Sequence, residues 1–96
     1  MSRPRFIRID LSNVTSALDL HSTLRDSLGF PVWYGCNWDA FWDAITGLVQ
    51  LPEKLQIVGW DSLSLRLPQD AELMQSCLLD LVSEHPELVT SLEFCR

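Results

Sequence analysis

Apolar and polar positions alternate along this chain in two rhythms, one suited to strands and one to helices. Residues Phe6 to Leu11 read Phe-Ile-Arg-Ile-Asp-Leu, β-branched and aromatic with partial alternation, and predict a strand. Ser16-Ala-Leu-Asp19 resembles a helix capping box with Asp in the place usually held by Glu. The helix it opens puts Ala17, Leu20, Leu24 and Leu28 on one face and stops at Gly29, with Pro31 just beyond. A turn from Pro31 to Cys36 leads to Asn37, which suits the cap of a second helix from Trp38 to about Ile45, ending near Gly47.

Lys54 to Trp60 reads as a well-buried second strand. Asp70 is placed to cap a longer helix to about Glu84, with Met74, Cys77, Leu78 and Leu81 facing inward. Pro86 ends it, and Leu88 to Phe94 supply a last strand. Between them, Ser62-Leu-Ser-Leu-Arg-Leu67 alternates strictly, which suits a strand, an irregular connection or a short helix. Strands separated by helices predict an α/β fold with a small three-stranded parallel sheet packed by three to four helices. The turn and second helix make the first crossover longer than it needs to be, and extra chain in a small domain is often where function sits.

At 96 residues the chain is expected to form a single domain, residues 1–96. Cys36, Cys77 and Cys95 are odd in number and form no CxxC pair, so neither a disulfide framework nor a zinc site is expected. His21 and His85 are far apart, and no metal or cofactor is expected. Met1 to Arg8 has charge but no following apolar stretch, and no apolar run approaches a membrane span. Cytoplasm is therefore the expected compartment.

Charge adds a direction. The formal net charge is −6, and no Lys or Arg occurs between Arg25 and Lys54 or between Arg66 and Arg96. Those stretches carry Asp26, Asp39, Asp43 and Glu53, then Asp70, Glu72, Asp80, Glu84, Glu87 and Glu93. Such a surface repels nucleic acid and attracts basic partners, although ordinary solubility produces the same pattern. Chemistry concentrates in residues 31–47. On a helix Phe41, Ala44, Ile45 and Leu48 form an apolar face, while Trp38 and Trp42 stand four apart, as do Asp39 and Asp43. Paired carboxylates beside indole rings fit an interface that receives arginine. Core tryptophans with solvated aspartates fit the same spacing.

The stretch Trp33-Tyr-Gly-Cys-Asn-Trp-Asp-Ala-Phe-Trp-Asp-Ala-Ile-Thr-Gly47 strongly resembles the signature of the barstar family, and Leu18-Asp-Leu-His-Ser-Thr-Leu24 is similar to that family's first helix. The order of elements fits over nearly the whole chain. The resemblance implies a barstar-like fold and an intracellular, non-enzymatic inhibitor of a ribonuclease or ribonuclease-like toxin, as in immunity and toxin–antitoxin pairs. It implies one-to-one binding to a basic protein, with no direct nucleic-acid or membrane contact and a monomer when free. Carried over position by position, Asp43 is the main anchor where substrate phosphate binds, Asp39 a second charged contact and Trp42 an aromatic neighbour. Trp33 stands where the family has a stacking Tyr. Gly35, Asn37, Trp38, Thr46 and Gly47 align with positions that shape or line the surface, and Asp80 aligns loosely with a family Glu. Leu48, Gln50 and Cys36 replace a Trp and two acids of the family pattern, which suits a different cognate enzyme.

Two other readings compete. One is an interaction or self-assembly module with a non-nuclease partner, and the other a small hydrolase built on Cys36 or the Asp39–Asp43 pair. The hydrolase is the weaker, because adjacent turns of an exposed helix offer no cleft and no base lies near Cys36 in sequence. His21 is expected to be a packed or capping residue, and Trp60 a core residue.

Overall fold

The chain meets its first constraint at the sheet, where each strand must bury one face and leave the other to water. In the computed structural model, residues 5–88 and 91–96 are described. Strands β1 (Phe6–Asp10), β2 (Lys54–Val58) and β3 (Ser91–Phe94) form a parallel sheet in the order β1-β2-β3. Ile7 lies opposite Leu55 and Leu55 opposite Leu92; Ile9 lies opposite Ile57 and Ile57 opposite Phe94. These six side chains make the inner face, and all helices pack on that side.

The outer face is open. Phe6, Arg8, Asp10, Lys54, Ser91 and Glu93 are exposed on it. Polar pairs line it: Gln56 Nε2 donates to Glu93 at 3.2 Å, Lys54 Nζ lies 3.6 Å from the same carboxylate, and the Lys54 ammonium sits 6.0 Å from the Phe6 ring centre. Parallel sheets usually carry helices on both faces. Here only Leu55 and Ile57 of β2 are fully buried, so the expectation of a well-buried strand holds for one face only, and the strand ends at Val58 instead of running through Trp60, which opens a helix.

Helix α1 (Ala17–Leu28) starts as its sequence predicts. Ser16 Oγ accepts from the Asp19 amide at 3.0 Å, and the Asp19 carboxylate reaches back to the Thr15 amide at 3.2 Å. Gly29 ends it at φ 75°, in the left-handed region that glycine enters without a Cβ penalty. Leu20, Leu24 and Leu28 are buried, but Ala17 is exposed because it precedes the turn that meets the sheet. Helix α2 (Trp38–Asp43) continues as a π-helical turn over Ala44–Leu48, so Gly47 lies inside this element rather than ending it.

The alternating stretch 62–67 belongs to a helix. Helix α3 (Trp60–Arg66) buries Leu63 and leaves Leu65 exposed. Of the three readings the alternation leaves open, the short helix is the one that forms: the Trp60 amide donates to the Cys95 carbonyl (2.9 Å), closing the ladder as the chain turns away at Gly59. Arg66 then clips the helix to the β1–α1 connection, donating to the Ser12 and Val14 carbonyls at 2.6 and 3.3 Å. Helix α4 (Pro68–Glu84) begins two residues before the expected cap. Pro68 takes the first helical position, where its missing N–H costs nothing, and Asp70 falls in the first turn instead of capping. Met74, Leu78 and Leu81 are buried as expected, and Cys77 is half-buried. Leu88 lies in the turn after α4, its amide donating to the His85 carbonyl; of the expected strand from Leu88, residues 89 and 90 fall outside the described ones, as do residues 1–4 of the N-terminal segment.

Gly59 adopts φ 78°, and a Cβ there would lie 2.5 Å from the Ser12 amide nitrogen. Both backbone strain and a backbone clash oppose any side chain. Gly59→Ala is expected to lower unfolding stability by more than ~2 kcal/mol in urea denaturation. A loss below ~0.5 kcal/mol would contradict this account of the β2–α3 junction.

Candidate protein-binding site

The loop before α2 is held by its own polar groups. The Tyr34 amide donates to the Pro31 carbonyl at 3.0 Å, closing a turn that leaves Trp33 69% exposed. Cys36 takes φ 52°, an unusual conformation for a residue with a side chain. Asn37 then caps α2: its Oδ1 accepts from the Ala40 amide at 2.7 Å and its Nδ2 donates to the Gly35 carbonyl at 3.2 Å. A Cβ on Gly35 would approach that Nδ2 to 3.2 Å, so a small residue suits the position.

Burial sets the rotation of α2. Phe41, Ala44 and Ile45 are fully buried, which turns Asp39 and Asp43 to solvent with Trp38 and Trp42 half-buried beside them. Leu48, expected on the buried face, is 48% exposed, because the wider π turn carries it away from the core. The Val49 amide closes that turn onto the Ala44 carbonyl at 3.2 Å, and Thr46 Oγ1 donates to the Trp42 carbonyl at 2.6 Å.

Across from α2, helix α4 supplies a second wall. Trp38, Asp39, Trp42 and Asp43 face Leu73, Cys77, Asp80 and Glu84 over an open groove of about 670 Å³. The structure thus brings Trp38, Asp39, Trp42, Asp43 and Asp80 together. Trp33, Gly35 and Asn37 lie on the loop before the groove, and Thr46 and Gly47 on the π turn after it; none of the five lines it. Glu84 was not anticipated as a site residue, although the spacing 73, 77, 80, 84 marks one helical face. Asp70 was anticipated only as a cap, yet its Oδ1 accepts from the Trp38 indole Nε1–H at 3.0 Å.

The match to the family Barstar (barnase inhibitor) runs over residues 4–93, nearly the whole chain. The chain belongs to the barstar family. It is also similar to the Bacillus subtilis (strain 168) protein named "Putative ribonuclease inhibitor YrdF", at 42% identity over 57 residues. That alignment spans 59% of this chain and 63% of the relative. The three-stranded parallel sheet with four helices agrees with the barstar-like fold that the sequence implied.

The barstar-family groove concentrates negative charge, with four carboxylates and no Lys or Arg in its lining among the described residues. Burial pushes the Cys77 thiol up from its ordinary value, and Asp80 and Asp39 push it further, so it stays protonated and a poor nucleophile. Among the described residues no helix is long and apolar enough to cross a membrane, and no group of three His, Cys, Asp or Glu could hold a metal ion.

Beneath the groove lies an aromatic and polar layer. His21 is 2% exposed, with Nδ1 2.7 Å from Tyr34 Oη and its ring 4.4 Å from the Trp38 ring. The two groups share this hydrogen bond, and Tyr34 Oη donates its phenol proton to the Asn37 carbonyl at 3.4 Å. Burial raises the Tyr34 pKa, which keeps that proton in place. Burial also lowers the His21 pKa, against a smaller opposing pull from Asp70. As pH falls the unfolded chain takes up the proton first, so this stabilisation is complete above the ordinary histidine pKa of about 6.5 and is lost as pH falls below it. The melting temperature is expected to fall between pH 7.5 and 5.5, with a shallower fall in His21→Gln. Equal slopes in the two proteins would contradict a buried, neutral His21.

Proposed function

We propose that this barstar-family chain is a non-catalytic, one-to-one inhibitor of a basic ribonuclease or ribonuclease-like toxin. The observation that carries the reading is the groove between α2 and α4, where Asp39 and Asp43 face Asp80 and Glu84 between tryptophan side chains. A ribonuclease site is lined by cations that hold phosphate and by surfaces that stack bases. Each of these carboxylates offers arginine a bidentate acceptor in place of phosphate, and indoles offer the stacking surface. Asp43 is the anchor, with Asp39, Asp80 and Trp42 around it.

Exposed Trp33 and its neighbour Val32, 92% exposed, extend the surface with apolar area at the loop. Gly35 and Asn37 shape that loop, while Thr46 and Gly47 border the far end. Like charges at Asp39 and Asp43 cost the free helix roughly 0.2–0.5 kcal/mol, a penalty that a cationic partner reverses. The same charge repels nucleic acid, so the target is the enzyme and not its substrate. The three free cysteines suit an intracellular setting, where an immunity partner of a toxin would act as a monomer.

Calorimetric titration into a panel of small basic ribonucleases tests the reading. A one-to-one isotherm that weakens with added salt is expected, because opposite charges steer and hold the encounter. Asp43→Ala is expected to weaken binding by ~3 kcal/mol, roughly a hundredfold, chiefly through faster dissociation. Unchanged affinity in Asp43→Ala removes Asp43 as anchor. No binding across the panel, together with self-association that Trp42→Ala abolishes, establishes the assembly module instead.

A further inference from the structure

The two tryptophans of α2 do not do the same thing. They stand one turn apart, yet they reach opposite ends of α4. Trp38 Nε1 donates to Asp70 in the first turn, and the Trp42 ring lies 6.2 Å from the ring of His85, the residue that caps the last turn. Asp70 and His85 are fifteen positions apart, about 22 Å along a helix. The acidic groove occupies the interval between these two contacts.

The two contacts differ in kind. The Trp42–His85 contact is a tilted ring pair with no hydrogen bond between the two rings, and such a contact permits sliding. The Trp38–Asp70 contact is a directed hydrogen bond to a carboxylate, which fixes both distance and angle. Trp38 is itself seated, its ring 4.4 Å from His21 and edge-on to Phe41 at 5.2 Å. His21 in turn meets Tyr34, whose residue anchors the binding loop. Asp70 is therefore linked through Trp38 to α1, to the core and to the loop that carries Trp33.

We infer that the Trp38–Asp70 hydrogen bond sets the spacing of α2 from α4, and so the width of the groove that receives the ribonuclease's cations. Trp38 and Asp70 are positioning residues of the inhibitory surface. Packing alone could bring the two helices together, but an unpaired half-buried indole N–H would cost free energy wherever the bond was not made, so one arrangement is favoured over its neighbours. Asp70 also gains from its place in the first turn of α4, where the helix dipole favours a carboxylate and holds it ready to accept.

A double-mutant cycle tests this, with binding to the ribonuclease and amide hydrogen exchange both measured on the full chain. The affinity measurement rests on the inhibitor reading; the exchange measurement does not. Asp70→Ala and Trp38→Phe are each expected to weaken binding about tenfold, as loss of one charge-assisted hydrogen bond would. The double variant is expected to be no weaker than either single one, because both remove the same bond. Asp70→Asn keeps an acceptor and is expected to restore most of the affinity. A purely structural role would lower stability in all four and leave affinity unchanged. Exchange of the amides over residues 38–43 is expected to quicken in Asp70→Ala while that of β2 stays the same. Losses of affinity that add in the double variant overturn the inference, as do unaltered affinities. If the wild-type protein binds no ribonuclease, the inhibitor reading falls, and equal exchange over residues 38–43 in wild type and Asp70→Ala overturns the positioning role separately.

Discussion

Burial of Phe41, with Ala44 and Ile45 behind it, is the interaction on which the arrangement of this molecule depends. A six-residue helix cannot hold itself together in water, since helices shorter than about 12 residues are marginal alone. It exists because one face is packed into the core, and that packing fixes its rotation. Once Phe41 is inward, Asp39 and Asp43 have to point outward, and Trp38 and Trp42 have to lie along the flanks. Asn37 stabilises the first turn by accepting the Ala40 amide, and it orders the preceding loop with its other end. The positions of Trp33 and both aspartates thus follow from one buried aromatic and one cap.

The surface so created works against the free protein. Four carboxylates share one groove with no Lys or Arg in its lining among the described residues, and the described cations sit elsewhere, among them Lys54 on the open sheet face and Arg66 clipped to the β1–α1 connection. This separation of charge is what a protein offering itself to a basic partner requires, and it is a poor arrangement for self-stabilisation. The fold compensates in the layer beneath, where His21, Tyr34, Trp38 and Phe41 pack ring against ring and every buried side-chain nitrogen and oxygen of the described residues has a partner. A polar layer of this kind is stabilising only when complete, which is why His21 belongs there as a neutral ring.

Much of this was legible in the sequence, for reasons that differ by residue. The Ser16 cap, Gly29 stop and Asn37 cap are local chemistry and appear where the residues predict. The face of α4 bearing Met74, Leu78 and Leu81 follows from helical spacing. Local pattern fell short where tertiary context decided the outcome. Alternation at 62–67 left a strand, an irregular connection and a short helix open, and only the tertiary context selects the helix, in which Leu63 is buried and Leu65 is exposed. Leu48 fitted the apolar stripe of an α-helix, whereas the π turn moved it outward. Within the site, Asp39, Trp42 and Asp43 were readable as one face of one helix. Glu84 and the Asp70 contact were not, because they lie 41 and 32 positions from the α2 residues they join, Asp43 and Trp38, and no periodicity reports on such pairs.

The central claim is that the α2–α4 surface blocks a ribonuclease by occupying its phosphate-binding site. Its most direct test is a stoichiometric titration of ribonuclease activity, with enzyme held well above the dissociation constant and this protein added in steps. The account predicts a straight decline that reaches zero at one equivalent, and a shallow, incomplete decline with Asp43→Ala. Activity that persists beyond several equivalents of the wild-type protein in a mixture shown to bind would contradict it, since the groove would then be meeting the enzyme away from its active site.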